Sequence, residues 1–124
     1  MLPGDRDEVL VSVVVPFRQE PEIHHVLKSL SLQDFPVHSW ELLVVSDHNT
    51  VQETDRVKHL LSGMNAVRTR LLSLEEGLYG KKAALDLGIN HASGRVVLTT
   101  DADCVLDRSW ITAMAERFSD ERVI

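Results

Sequence analysis

Asp101, Ala102 and Asp103 set two carboxylates one residue apart, directly after the apolar run Val96-Val97-Leu98-Thr99-Thr100. The run reads as a buried strand. Two carboxylates at a strand end can hold one hard divalent cation between them. Mg²⁺ or Mn²⁺ takes oxygen ligands and shares them readily with a diphosphate. Taken alone the triplet also suits a solvated loop or a helix cap. Two polar clusters upstream set it apart, because they too follow apolar runs: Pro16-Phe17-Arg18-Gln19-Glu20 and Ser46-Asp47-His48-Asn49. Asp47 by itself also fits a turn or cap.

Gly80-Lys81-Lys82 precedes a helical stretch. Backbone amides at a helix start, with a lysine beside them, can receive phosphate; a solvated basic turn has the same composition. It is no P-loop, since Glu75 stands where that motif needs glycine and Lys82 where it needs Ser or Thr. No Gly-x-Gly-x-x-Gly follows the first strand, which argues against the usual dinucleotide fold. His24 and His25 are adjacent, so on a helix they should point to different sides and not chelate one ion. His48 is the histidine of interest, as the neighbour of Asp47. Cys104 reads as a small buried apolar residue.

The elements that must position these groups alternate. Val9 to Val15 is a β-branched strand that Pro16 should stop. Ile23, Val26, Leu27 and Leu30 recur at helical spacing. Trp40 to Val45 is a second strand, and Thr50 with Glu53 fits a capping box. Val57, Leu60, Leu61 and Met64 form the next helical stripe, which Gly63 closes. Val67 to Leu72 is a weaker strand, broken by Arg68 and Arg70, as expected near an edge. Ala84, Leu85, Gly88, Ile89 and Ala92 line a third helix. Val96 to Thr100 is the fourth strand, and Ile111, Met114, Ala115 and Phe118 mark a fourth helix. Val123-Ile124 opens a fifth strand. This β-α-β-α-β-α-β-α-(β) order predicts an α/β fold, a parallel sheet with helices on both faces. Ligands of such sheets bind beyond the carboxyl ends of the strands.

Composition narrows the function. The 124 residues suffice for one domain with a core. A net charge of −6 disfavours nucleic acid as partner, because no basic stripe is present to release counterions. A single cysteine excludes an internal disulfide framework and a Cys/His zinc site, and points to a reducing, cytoplasmic setting. The apolar runs are far shorter than the roughly 20 residues of a membrane span. An anchor at the inner face of a membrane would need segments beyond this chain.

Read together, the motifs resemble family 2 glycosyltransferases of the GT-A fold. Val11 to Glu20, VSVVVPFRQE, is similar to the family's opening strand. Glu41 to Thr50, ELLVVSDHNT, is similar to its second strand and acidic turn. Gly80 to Gly94, GKKAALDLGINHASG, resembles its Gly-Lys helix, and Thr99 to Trp110, TTDADCVLDRSW, its Asp-x-Asp metal motif. The resemblance covers almost the whole chain. It implies a Rossmann-like GT-A nucleotide-binding domain, with residues 1–124 as the N-terminal, donor-binding part of a longer enzyme.

The activity it implies is inverting transfer of a sugar from a nucleotide diphosphate sugar, usually a UDP-sugar, with Mg²⁺ or Mn²⁺. By the resemblance Pro16 and Glu20 mark the loop under the nucleotide, and Asp47 accepts from the base edge. Lys81 lies near base or diphosphate, Asp101 approaches ribose and metal, and Asp103 binds the metal. The family's catalytic base would lie downstream of Ile124, so this stretch alone is expected to bind donor without turnover. Surface left open by a missing half would favour self-association. Ser46 departs from the pattern, which often has a first Asp there.

Two other readings use the same residues. A nucleotide-sugar-binding module would need no base. Asp101-Ala102-Asp103-Cys104-Val105 also fits the start of haloacid-dehalogenase-type phosphotransferases, where one Asp attacks phosphate. That motif follows the first strand of its domain, however, and here it follows the fourth.

Overall fold

The computed structural model describes residues 8–64, 67–118 and 122–123. Among them five strands form one parallel sheet. β1 is Val11–Phe17, β2 Trp40–Ser46, β3 Arg68–Ser73, β4 Val96–Thr99 and β5 Arg122–Val123. The helices between them are α1 (Ile23–Ser31), α2 (Val51–Ser62), α3 (Lys81–His91) and α4 (Trp110–Arg117). The expected fold class is found. The fifth strand is present at Arg122–Val123, and Ile124 lies outside the described residues.

The spatial order is β3-β2-β1-β4-β5. The chain moves one way from β1 to β3, then returns to place β4 on the other side of β1. The order therefore reverses between β1 and β4, and a crevice opens there at the carboxyl ends of the strands. β3 is an edge strand in this order and only half-buried. This explains its interleaved arginines.

Side-chain alternation supplies two cores. Val11, Val13, Val15 and Phe17 face one side with Trp40, Leu42, Val44, Val96 and Leu98, and α1, α2 and Ile111 of α4 pack on them. Val14, Leu43, Val45 and Val97 face the other side, under Ala84 of α3. Because both faces are covered, the central strands read as unbroken apolar runs. The α3 backbone comes close to the sheet at Gly88, where a Cβ would meet Val14 Cγ1 at 2.4 Å.

Pro16 does not stop the first strand, which runs on to Phe17. Backbone groups two residues apart on a strand aim to the same side. Val14 accepts the Thr100 N–H on the β4 side, so the nitrogen of Pro16 also faces β4. The β1–β4 pairing ends at Val14 and Thr99, so no rung requires the missing N–H.

Ser12, the polar break in the first strand, serves the opposite end of the sheet. Its hydroxyl donates to the buried Glu41 carboxylate at 2.6 Å and accepts the Gly94 N–H at 2.8 Å. Glu41 also accepts from the Ser93 N–H and Oγ–H. This network ties the end of α3 to β1 and β2.

Candidate active site

The loops at the carboxyl end are held in place by side-chain bonds to backbone. Asn49 Oδ1 accepts the Gln19 N–H at 2.7 Å, while Asn49 Nδ2 donates to Phe17 O and to Ser46 Oγ. One amide thus joins the loop after β1 to the loop after β2. Gln19 and His48 sit in the left-handed region, at φ 49° and 56°. Non-glycine residues seldom adopt it, and such strain gathers at functional sites. Beyond them the capping box forms as expected, with Thr50 and Glu53 bonding each other's backbone N–H.

The turn after β4 explains how Asp101 and Asp103 are presented. Cys104 N–H donates to Asp101 O, closing a four-residue turn. Ala102, between the two carboxylates, is buried in the core beneath. That small apolar residue anchors the turn and leaves both Asp side chains exposed.

A cleft of about 340 Å³ lies at the switch point. Pro16, Phe17, Arg18, Asp47, Gly80, Lys81, Ala84 and Asp101 line it. Four of the expected residues, Pro16, Asp47, Lys81 and Asp101, therefore meet around one space. Asp103 adjoins it through Asp101. Oxygens of the two carboxylates and Cys104 Sγ lie within 4.8 Å of one another. Glu20 is placed differently. It lines a neighbouring groove with Ile23, Glu53 and Arg56, and its carboxylate caps the Glu22 N–H. A larger groove, about 600 Å³, runs between α1 and residues 105–108.

Asp47 is buried, with 4% of its surface exposed. Its Oδ2 accepts the Gly80 N–H at 3.1 Å, and Arg18 Nη1 stands 4.0 Å away. Its Oδ1 is buried with no hydrogen-bond partner among the described residues. A buried carboxylate oxygen left unpaired is costly. Lys81 forms an ion pair with Asp101. The hydrogen bond and charge of Asp101 raise the Lys81 pKa, so its ammonium persists at neutral pH. The Gly80 N–H is engaged by Asp47, so Lys81 is the cationic group of this helix start that faces the cleft.

His48 is not among the residues that line the cleft. Its Nε2–H donates to Leu78 O at 2.8 Å, and its ring packs on Tyr79 at 4.4 Å. Gly77 and Gly80 flank that segment at φ 95° and 98°, which glycine alone adopts easily. Asn49 and Tyr79 were not legible as site residues, since their partners lie 30 residues away in sequence. His24 and His25 do not diverge as their adjacency suggested. At the first turn of α1 both rings lean back towards Glu22, 4.0 Å apart. Arg56 donates to His24 Nδ1 at 2.8 Å, so the neutral ring carries its proton on Nε2 and offers no lone pair there.

The family Glycosyl transferase family 2 matches residues 12–124. The chain belongs to glycosyl transferase family 2. Among curated relatives, glycosyltransferase AglE of Haloferax volcanii is 29% identical over 102 residues, covering 82% of this chain and 33% of that protein. Poly(ribitol-phosphate) beta-N-acetylglucosaminyltransferase TarS of Staphylococcus aureus is 31% identical over 111 residues, covering 89% and 19%. Two solved structures show the same fold. S. aureus TarS 1-349 in complex with UDP-GlcNAc superposes with a TM-score of 0.76 at 28% identity, covering 90% of this chain and 31% of that one. Mannosyltransferase PcManGT from Pyrobaculum calidifontis, in complex with GDP-Man and Mn²⁺, gives 0.74 at 30% identity, covering 82% and 30%. The chain spans a third or less of these relatives. Among the described residues no helix is long and apolar enough to cross a membrane. The phosphotransferase alternative has no support from these matches.

Proposed function

We propose that residues 1–124 form the donor-binding part of an inverting glycosyltransferase that uses a nucleotide diphosphate sugar, in particular a UDP-sugar. The observation that carries this is the unpartnered Asp47 Oδ1, buried in a cleft that also presents Lys81 and Asp101. Nucleotide-sugar complexes of the TarS and PcManGT neighbours support the same use of the fold.

In this reading Asp47 Oδ1 accepts the ring N–H of the base. Pro16 forms the floor of the cleft, and Glu20 holds the loop below it through the Glu22 N–H. Lys81 neutralises part of the diphosphate charge from the start of α3. Asp101 and Asp103 would hold Mg²⁺ or Mn²⁺; two carboxylates at the rim suit a hard cation, and the Cys104 thiol does not. Such a cation, when bound, supplies Lewis-acid stabilisation of the leaving diphosphate. Transfer breaks the bond from the anomeric carbon to the diphosphate oxygen and forms one to the acceptor oxygen, with inversion. The acceptor's proton passes to a carboxylate base that we assign to none of these 124 residues. The chain by itself then binds donor but does not turn it over.

The test is calorimetric titration of UDP with and without Mn²⁺. Binding that Mn²⁺ strengthens in the wild type and not in Asp103→Ala is the expected outcome. Equal Mn²⁺ dependence in both would remove the metal role.

A further inference from the structure

We propose that the groove between α1 and residues 105–108 binds an anionic lipid, with Lys28 and Arg108 on its phosphate and Leu32 and Val105 along the first carbons of its chains. The proposal makes no use of the cleft at the strand ends and is independent of the donor reading.

Bonds between its two walls hold the groove in shape. Ser29 Oγ accepts the Leu106 N–H at 3.1 Å, and Gln33 Nε2 donates to Asp107 O at 2.6 Å. The Asp34 N–H donates to Arg108 O at 3.0 Å, and Gln33 Oε1 accepts the Ile111 N–H at 2.9 Å. Leu106 packs against the main core. A site already formed in this way loses little entropy when a ligand enters.

The charges favour an anion. Lys28 and Arg108 line the groove, and neither side chain has an ion-pair partner among the described residues. The other titratable groups of the groove are engaged locally. Asp107 Oδ2 accepts the N–H and the hydroxyl of Ser109, at 3.2 and 2.7 Å, and His25 Nε2–H donates to Glu22 at 2.8 Å. With Asp107 counted, Lys28 and Arg108 still leave the groove positive, in a chain of net charge −6. The attraction is therefore local and not that of a basic protein.

Leu32 and Val105 decide the class of anion. Both line the groove, and they are 58% and 73% exposed. A free phosphate leaves this apolar surface in water, whereas a lipid covers it with methylenes. The volume of about 600 Å³ suits one headgroup and the start of its chains. A protein partner of standard size would cover about 800 Å², which calls for more apolar surface than these two side chains supply.

The experiment titrates the full chain by calorimetry with dihexanoyl phosphatidic acid, kept below its micelle concentration. Dihexanoyl phosphatidylcholine and inorganic phosphate are the other ligands. The proteins are the wild type, Lys28→Gln/Arg108→Gln and Leu32→Ser/Val105→Ser. Each substituted position is exposed, so the urea midpoints should agree. Phosphatidic acid should bind about tenfold more tightly than either other ligand. Losing both cations should weaken it about 25-fold, roughly fivefold apiece, and losing both apolar side chains about tenfold. Phosphate that binds as tightly as phosphatidic acid would make this a free-anion site, and phosphatidylcholine that does so would remove the role of charge; either overturns the proposal. So does phosphatidic acid binding that neither double variant weakens. Sedimentation velocity tests the remaining occupant: a wild-type dimer that Leu32→Ser/Val105→Ser dissociates would make the groove an interface between copies and overturn the lipid assignment.

Discussion

Asp47 Oδ2 accepts the backbone N–H of Gly80 at 3.1 Å, joining the end of β2 to the start of α3. The two oxygens of this carboxylate differ. One oxygen fixes the helix that carries Lys81, and the other is buried with no hydrogen-bond partner among the described residues. The strand-order reversal beside β1 provides the space.

Asp47→Ala should weaken binding of uridine and of UDP alike, because both carry the base. The lost charge-assisted bond is worth about 1.5–3 kcal/mol, roughly a factor of 10–150 in affinity. Asp103→Ala should leave uridine binding unchanged and reduce only Mn²⁺-dependent UDP binding. Calorimetry on the two variants separates the roles. Unchanged uridine binding in Asp47→Ala would reduce Asp47 to a clamp on Gly80.

Lys81→Met should move metal and nucleotide affinities in opposite directions. Without nucleotide, Lys81 pairs with Asp101 and competes with a cation for its oxygens. Removing an exposed pair of this kind should tighten Mn²⁺ binding about two- to fivefold. UDP binding should weaken, because a cation facing the diphosphate is lost. The raised Lys81 pKa keeps the pair charged below the ordinary lysine range, and the pair is lost only as pH rises through the raised value. The effect should therefore be constant over about pH 6 to 9. Mn²⁺ binding that weakens in Lys81→Met would contradict the competition.

Gly94→Ala should destabilise the fold. A Cβ there would meet Ser12 N at 2.6 Å, Ser12 Oγ at 2.7 Å and Val11 C at 2.8 Å, two of them backbone atoms of the central strand. Overpacking of this sort costs about 1–3 kcal/mol. Gly63→Ala is the control, since its Cβ would meet only Leu60 O at 3.4 Å. Urea denaturation should show a lower midpoint for the first variant and little change for the second.

The layers of the fold were legible because both faces of the sheet are covered, so that β1, β2 and β4 appear as continuous apolar runs. The stripes of α1 and α2 and the Thr50–Glu53 box depend on residues three or four apart, which sequence displays directly. Pro16 misled because its effect depends on whether a neighbouring strand still runs beside it, a fact of pairing and not of composition. Ser12 and Glu41 gave no local sign of their bond, which spans 29 residues. The cleft was legible as a set of strand ends. The burial of Asp47, its bond to Gly80 and the nearness of Arg18 depend on the order of strands in the sheet, which the alternation of elements does not specify.

If the cleft between β1, β2 and the start of α3 binds the nucleotide of a sugar donor, the ligand should perturb the residues that line it. Backbone amide chemical shifts recorded while UDP-sugar is added, with Mg²⁺ in place of paramagnetic Mn²⁺, test it most directly. The largest shifts should fall on Phe17, Arg18, Asp47, Gly80, Lys81 and Asp101. Shifts confined to Lys28 and to residues 105–108, or an absence of shifts at Asp47 and Gly80 when ligand is saturating, would contradict it.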